Sequence, residues 1–220
     1  MSTEELPIFP LSSVVLFPGV QTPLHLFEPR YRQLGGAVTS GDRRMGMVVV
    51  PPDHADEMPG NPPVYPIGCG GDVVRAQRLP DGRFNIVIAG TGRFRIVSEA
   101  PPPAPRLYRI AEIQWLEDPY PEQARQRVSE LREQIVARVR KLVERADPER
   151  GSRVAADLFA GVDDASFVNS LCNALFFAPT EKQGLLEAAS VPERFERLDG
   201  LLAFHLADLG RGAAGSRTLH

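Results

Sequence analysis

The chain has 220 residues, of which 43% are hydrophobic and 24% charged, and its formal net charge at pH 7 is −3. A chain of this length forms one large or two small domains and buries enough surface to need neither disulfide nor metal. The acidic balance gives the molecule no overall basic field, which argues against nucleic acid as its main partner.

The sequence shows no secretion signal and no membrane span. Residues 1–5 are polar and acidic, Pro7 and Pro10 interrupt the next apolar run, and no apolar stretch reaches about 20 residues. Cys69 and Cys172 have no metal-ligand or redox spacing, so we expect reduced thiols that fill core space. These features predict a cytoplasmic protein without a membrane partner.

The first forty residues contain two strand-type runs followed by a helix. Apolar residues at 6–11 and 14–17 are typical of strands, and a Pro-Gly pair at 18–19 marks a turn. Pro29 suits the first turn of a helix, and Gly41 is its expected C-cap. The predicted buried face of this helix consists of Tyr31, Leu34 and Val38.

The chain from residue 46 to residue 116 has the pattern of a β-rich domain. Strands are predicted at 46–50, 64–67, 72–79, 83–89, 93–97 and 107–116. The Leu-Pro-Asp-Gly-Arg sequence at 79–83 predicts a hairpin, and Gly-Thr-Gly at 90–92 predicts another turn. Short strands separated by frequent turns favour a closed or half-closed barrel, with the proline-rich segments 51–63 and 101–105 as its loops.

The second half of the chain is predicted to be helical. An apolar stripe runs through residues 122–146, and shorter amphipathic patterns follow around Val154, Phe167 and Phe195. Asp163 or Asp164, Thr180 with Gln183, and Ser190 with Glu193 are the expected helix caps. We place a β-barrel domain at 1–117, a helical bundle at 118–209 and a disordered tail at 210–220.

Three segments, taken in this order, resemble the N-terminal domain of Lon proteases. They are the opening 6–31, the run from Tyr-Pro-Ile-Gly at 65–68 through the hairpin to Arg-Phe-Arg-Ile at 93–96, and the helical segment 180–187. The resemblance implies an α+β fold, a PUA-like β-barrel followed by an α-helical bundle. It also implies a module that binds proteins, similar to the free-standing Lon-domain proteins that lack ATPase and peptidase domains.

No sequence motif for catalysis accompanies that resemblance. The chain has no Gly-x-x-x-x-Gly-Lys-Ser/Thr phosphate loop, no Gly-x-Ser-x-Gly nucleophile elbow and no histidine pair with metal-ligand spacing. We expect no enzymatic activity, no metal and no cofactor. A catalytic arrangement of residues far apart in sequence stays open, because geometry rather than spacing defines it.

The predicted binding site is the proline-rich loop at 51–63. Loops on a rigid scaffold often carry recognition, and Met58 is expected at the tip of this one. The candidate partner-binding residues are Asp53, His54, Met58 and Tyr65. The expected ligands are unfolded or apolar segments of other proteins, and a protease or chaperone is a possible further partner.

The alternative function is RNA binding, since other PUA-like folds bind RNA. Arginines crowd onto neighbouring predicted strands, with Arg93 and Arg95 on one face. A solvated strand face that discourages sheet-to-sheet pairing explains the same arginines without a ligand. The candidate nucleic-acid-binding residues are Arg75, Arg78, Arg93 and Arg95.

Overall fold

The computed structural model describes residues 3–146 and 161–215 and contains, in those ranges, six strands, five α-helices and two short 3₁₀ helices. The strands are β1 (Glu4–Leu11), β2 (Gln21–Leu26), β3 (Arg44–Val49), β4 (Ile67–Arg78), β5 (Phe84–Glu99) and β6 (Arg109–Leu116). The helices are α1 (Pro29–Ser40), α2 (Arg125–Ala146), α3 (Asp164–Ala174), α4 (Pro179–Leu186) and α5 (Val191–Gly215), with 3₁₀ helices at Pro52–Glu57 and Glu122–Ala124.

The sheet closes on itself to form a barrel. Its strand order is β2-β5-β4-β3-β1-β6, and an additional pairing joins β5 to β6. The β1–β3 pair is parallel and the other pairs are antiparallel. β5 makes closure possible because its 16 residues pair with β4 along one edge and with two strands along the other edge: the first half pairs with β2 and the second half with β6. The predicted α+β class with a β-barrel is confirmed.

Alternation along the strands builds the barrel core. Side chains two residues apart point to the same face of a strand, so β1 and β6 each direct apolar residues inward. The ring of Phe94 on β5 occupies space left by Gly46 and Gly68, where an added Cβ would come within 2.7 Å of that ring. The buried cluster consists of Leu6, Ile8, Val48, Phe94, Ala111 and Ile113.

Three of the predicted β features have different structures. The strand predicted at 64–67 is wrong except for Ile67, because β4 begins there and runs without a break to Arg78. Residues 14–17 are not a strand, although Val15, Leu16 and Phe17 are buried, so an irregular segment contributes to the core. The predicted turn at 90–92 is wrong, because β5 runs straight through Gly90 to Glu99. Glycine here serves close packing: a Cβ at Gly90 would collide with the carbonyl of Phe17. The 79–83 hairpin is confirmed by the hydrogen bond from Leu79 N–H to the Arg83 carbonyl, 2.8 Å.

Helix α1 forms largely as its sequence predicts. Pro29 occupies the first turn, and the buried face contains Tyr31, Leu34 and Val38. Gly41 is the C-cap residue, with its N–H directed at the carbonyls of Ala37 and Val38, and its φ of −105° lies outside the left-handed region. The end of α1 therefore does not require a residue that can adopt positive φ.

The helical half shows the predicted apolar stripes and two of the three predicted caps. Val128, Leu131, Ile135 and Val139 are buried on α2, as are Phe195, Leu198 and Leu202 on α5. Asp163 Oδ1 accepts from Ser166 N–H at 2.9 Å, and Ser190 Oγ accepts from Glu193 N–H at 3.2 Å. The predicted Thr180–Gln183 box is wrong: Glu181 reaches back to Ala178 N–H at 2.7 Å, and Gln183 is buried. The pattern around Val154 lies outside the described residues.

The contacts divide the chain into two compact units. One contains Met1–Asp118 and Asn169–Glu187, and the other contains Pro119–Val168 and Ala188–His220. The first unit thus includes a segment that the sequence assigned to the bundle, while the limits 1–117 and 118–209 for folding domains stay a prediction. Helix α5 extends to Gly215, so residues 210–215 of the predicted tail are helical and 216–220 lie outside the described residues.

Candidate functional site

A cavity of about 230 Å³ lies in the first unit, where two proline-rich loops meet the start of α1. We name it the proline cleft. Residues from the end of β1, from α1 and from both loops line it, so segments far apart in sequence converge there. The lining residues are Ile8, Pro10, Arg30, Tyr31, Gly60, Asn61, Pro101, Pro102, Leu107, Tyr108 and Arg109.

Tyr31 forms a neutral wall of the cleft. Its ring meets that of Phe9 edge to face, with centroids 4.4 Å apart, and its hydroxyl donates to the Pro10 carbonyl at 3.1 Å. Burial raises the pKa of Tyr31 to about 12, although the neighbouring Arg30 opposes that shift. Tyr31 therefore stays protonated at physiological pH and serves as a fixed apolar surface.

Arg30 ties the 51–63 loop to the helix. Its guanidinium donates to the carbonyls of Met58 and of Gly60, the latter at 2.6 Å, and to the Glu28 carboxylate at 2.9 Å. The same group lies 4.5 Å from the centroid of the Tyr31 ring, within the range of a cation–π contact. The charge of Arg30 is thus neutralised within the protein, and the loop backbone is held in place.

Arg109 holds the other end of the 51–63 loop in place. It forms a two-point ion pair with the Glu99 carboxylate, in which Nη2 and Oε2 are 2.6 Å apart, and Nη1 donates to the Pro62 carbonyl at 2.7 Å. Arg109 is buried and Glu99 largely so. Both arginines that line the cleft are therefore paired, which leaves an apolar surface made mainly of proline, tyrosine and aliphatic groups.

Gln33 fixes the second loop beside the cleft. Its side-chain amide donates to the Pro105 carbonyl at 3.1 Å, and its side-chain oxygen accepts from Leu107 N–H at 2.6 Å. This reciprocal bonding holds Leu107 at the rim, where 53% of the residue is exposed to solvent. An exposed leucine at the mouth of an apolar cleft is a surface that a ligand can cover.

None of the four predicted partner-binding residues lines the cleft. Asp53 and His54 lie on the Pro52–Glu57 turn, where a hydrogen bond with the Glu57 carboxylate raises the pKa of His54. Met58 contributes its carbonyl to Arg30, and Tyr65 is half-buried with its N–H bonded to Val49. Their part in binding stays a prediction.

Sequence reasoning missed most of the cleft lining because it treated residues 101–105 as a spacer and Arg30 and Tyr31 as parts of a helix start. The available signal was the second proline cluster followed by exposed apolar positions. Composition cannot show that this cluster meets the 51–63 loop, which lies some forty residues earlier in the sequence.

The four candidate RNA-binding arginines do not share one surface. Arg93 is buried, 2% exposed, and donates to the carbonyls of Leu186 and Glu117 and to the Asp118 carboxylate. The prediction of a solvated face is therefore wrong for Arg93. Arg75 and Arg78 are exposed but line different cavities, and Arg95 is exposed elsewhere on β5.

The described residues contain neither a metal-type cluster nor a membrane-spanning helix. No group of three or more His, Cys, Asp or Glu side chains in that part of the chain has the arrangement of a metal site. None of the helices described here has the length and apolar character of a membrane span.

The structure described so far is a β-barrel with helices and an apolar cleft, and comparison with known proteins identifies its family. Residues 5–203 match the model of the ATP-dependent protease La (LON) substrate-binding domain, so the chain belongs to that family. The resemblance inferred from the sequence motifs is confirmed.

Curated relatives are full Lon proteases from bacteria. The chain is 27% identical to Lon protease of Cytophaga hutchinsonii over 195 residues, which cover 86% of this chain and 23% of that protein. It is 29% identical to Lon protease of Salinispora arenicola over 204 residues, which cover 92% and 24%. The chain thus spans about a quarter of the length of these relatives.

Two solved structures share the fold. One is a Lon N-terminal domain protein from Xanthomonas campestris, with a TM-score of 0.58, 22% identity, and coverage of 91% of this chain and 98% of that one. The other is the N-terminal domain of Lon protease from the Mycobacterium avium complex, with a TM-score of 0.66, 17% identity, and coverage of 92% and 100%.

Proposed function

We propose that this Lon-type substrate-binding module captures exposed apolar segments of other proteins in the proline cleft and catalyses no reaction itself. The observation that supports this role is the composition of the cleft: apolar walls, and two arginines whose charges are already paired. Burial of an uncharged side chain in such a site is favourable, whereas a charged side chain would find no free partner there.

The size of the cleft fits one large apolar side chain. A cavity of about 150 Å³ is enough to hold a benzene ring, and the cleft measures about 230 Å³. Its walls are held by hydrogen bonds to Gly60, Pro62 and Pro105, so little further ordering of the protein accompanies binding. The peptide itself loses conformational freedom, so we expect affinities in the micromolar range or weaker.

The chemistry of the cleft supports a role without catalysis. Tyr31 keeps its proton, Arg30 and Arg109 are engaged in ion pairs, and the lining contains no histidine, cysteine or carboxylate to act as base or nucleophile. We further propose that the module works in the cytoplasm and that its clients pass to a protease or chaperone.

The test is a titration with labelled peptides that differ at one position. A peptide with a single phenylalanine should bind at least tenfold more tightly than its serine counterpart, judged by fluorescence anisotropy. Leu107→Asp should weaken that binding because it places a charge at the mouth of the cleft.

Val97→Asp is the matched control. Val97 is 52% exposed against 53% for Leu107 but does not line the cleft, so its substitution should leave peptide affinity unchanged. Equal loss in both variants would mean that the cleft is not the site. No detectable association of the wild-type protein at high micromolar peptide would remove the proposed function.

A further inference from the structure

A second cavity in the same unit lies at the other flank of α1. It has a volume of about 440 Å³ and opens widely to solvent. Its lining includes Pro29, Arg32 and Gln33 from α1, together with Arg78, Gly82 and Phe84 from the β4–β5 hairpin. None of the residues that line it is acidic.

The guanidinium groups of Arg32 and Arg78 both lie at this cavity. Arg32 Nε donates to the Gly82 carbonyl at 3.2 Å, and the Arg78 guanidinium lies 5.9 Å from the centroid of the Phe84 ring. Neither forms an ion pair in the part of the chain that the structure describes. The nearby Asp81 is already engaged by Arg83 at 2.5 Å.

The lining of this cavity favours an anion. Asp81 offsets part of the charge of Arg32 but is itself bound to Arg83, so a carboxylate between Arg32 and Arg78 would add an attraction to each guanidinium group. Guanidinium groups also bind carboxylates through paired hydrogen bonds, and the Gly82 carbonyl and the Phe84 ring already hold each arginine on the cavity wall.

The position of the cavity relates it to the proline cleft. Arg30 and Tyr31 line the cleft, whereas Arg32 and Gln33 line the cavity, so consecutive residues of one helical turn separate the two. A helix with its side chains is about 10 Å across, and a peptide in the polyproline II conformation advances about 3.1 Å per residue with three residues per turn. Side chains three residues apart then lie on the same side of the peptide and about 9 Å from each other, so a peptide that crosses this turn in that conformation would place them in the two sites.

We propose that Arg32 and Arg78 form a carboxylate-binding subsite that selects client segments in which an acidic residue lies about three residues from an apolar anchor. The proposal rests on the proposed function of the proline cleft and adds charge selection to it. The occupant is an acidic protein segment rather than RNA, because the cavity presents only two guanidinium groups and its aromatic lining, Phe84, is buried.

The test compares three peptides of one length: phenylalanine with glutamate three residues away, the same peptide with glutamine, and a glutamate peptide in which serine replaces phenylalanine. The first should bind about three- to tenfold more tightly than the second at low salt, with the difference shrinking as salt screens the pair. The R32Q/R78Q double variant should bind the first two peptides equally. The control variant R95Q removes an exposed arginine that lines neither cavity, so it should keep the preference for the glutamate peptide.

The outcomes separate the two proposals. Equal binding of the glutamate and glutamine peptides by the wild-type protein, with phenylalanine still required, would overturn the subsite and leave the cleft standing. Loss of the preference in R95Q as well would also overturn it, since general charge would then be responsible. Binding that no longer depends on phenylalanine would overturn the cleft. Tighter binding of a labelled single-stranded RNA than of the glutamate peptide, abolished in R32Q/R78Q, would assign these arginines to nucleic acid.

Discussion

The indole of Trp115 lies directly over the α-carbon of Gly70, where a Cβ would stand 2.9 Å from Trp115 Cζ3 and closer still to Cη2. Gly92 lies opposite Gly70 in the register, and a Cβ there would be 3.4 Å from the same ring. Trp115 Nε1 donates to Glu4 at 2.9 Å, so the ring cannot easily move away. β4, β5 and β6 therefore close around the tryptophan because two glycines leave room for it.

Gly70→Ala should lower the free energy of unfolding by about 2–3 kcal/mol, because the added methyl group overpacks a fixed ring. Denaturant unfolding followed by tryptophan fluorescence measures this directly, since Trp115 is the single tryptophan of the chain. Gly184→Ala is the control: the position is helical with nothing within 4 Å of an added Cβ, so stability should rise by about 0.5–1 kcal/mol. An unchanged midpoint for Gly70→Ala would show that the ring adjusts.

Arg109→Met should lower the free energy of unfolding by about 3–5 kcal/mol, because it leaves the buried Glu99 carboxylate without its partner and removes the bond to Pro62. Combining it with Glu99→Gln should recover a large part of that loss, since no uncompensated charge then remains. A double-mutant cycle from urea denaturation gives the coupling. Strictly additive effects would argue that the pair does not act as a unit.

Tyr31→Phe should flatten the decline of stability at high pH. The pKa of Tyr31 is raised in the folded state to about 12, against 10.0 for the free group, so the folded protein keeps a proton that the unfolded chain has released. Its stabilisation is complete below pH 10 and is lost as the pH rises toward 12, with a slope of up to about 1 kcal/mol per pH unit. Unfolding titrations at pH 9 to 12 on both proteins measure the difference. Parallel pH profiles would contradict this account.

Asp163→Ala should destabilise the start of α3 by about 0.5–1 kcal/mol, because Ser166 N–H loses its acceptor. Hydrogen bonds from Ser166 hold the pKa of Asp163 below its usual value, so this stabilisation is present above that value and fades as the pH falls through the folded pKa. Asp163→Asn should retain the cap but lose the acid dependence. Thermal unfolding at pH 7 and pH 3 distinguishes the three proteins, and identical curves for all three would exclude a capping role.

Local sequence patterns correctly predicted the turns and helices that depend only on neighbouring residues. The hairpin at 79–83, the apolar stripe of α2 and the start of α1 at Pro29 follow from turn chemistry, periodicity and fixed φ. The errors have a common origin. Gly90 resembles a turn residue, yet it lies in β5, and glycine is required there because the distant Phe17 carbonyl leaves no space for a side chain.

Arg93 illustrates what local sequence cannot decide. Its neighbours in the sequence give no sign of burial, and its partners Leu186 and Asp118 lie ninety-three and twenty-five residues away. The proline cleft is another example, since Ile8, Tyr31 and Leu107 are far apart in the sequence and only the tertiary structure brings them to one cavity.

The amino-acid sequence alone indicated the family through three segments that resemble Lon N-terminal domains. Composition and periodicity predicted strands before helices and the proline-rich loops, because these patterns act over a few neighbouring residues. Which arginines are buried, which glycines accommodate a ring and which loops meet were decided by tertiary structure. These outcomes depend on closure of the barrel, in which β1 pairs with β6 and Glu4 lies opposite Ile113, a contact between distant segments that no short window of sequence specifies.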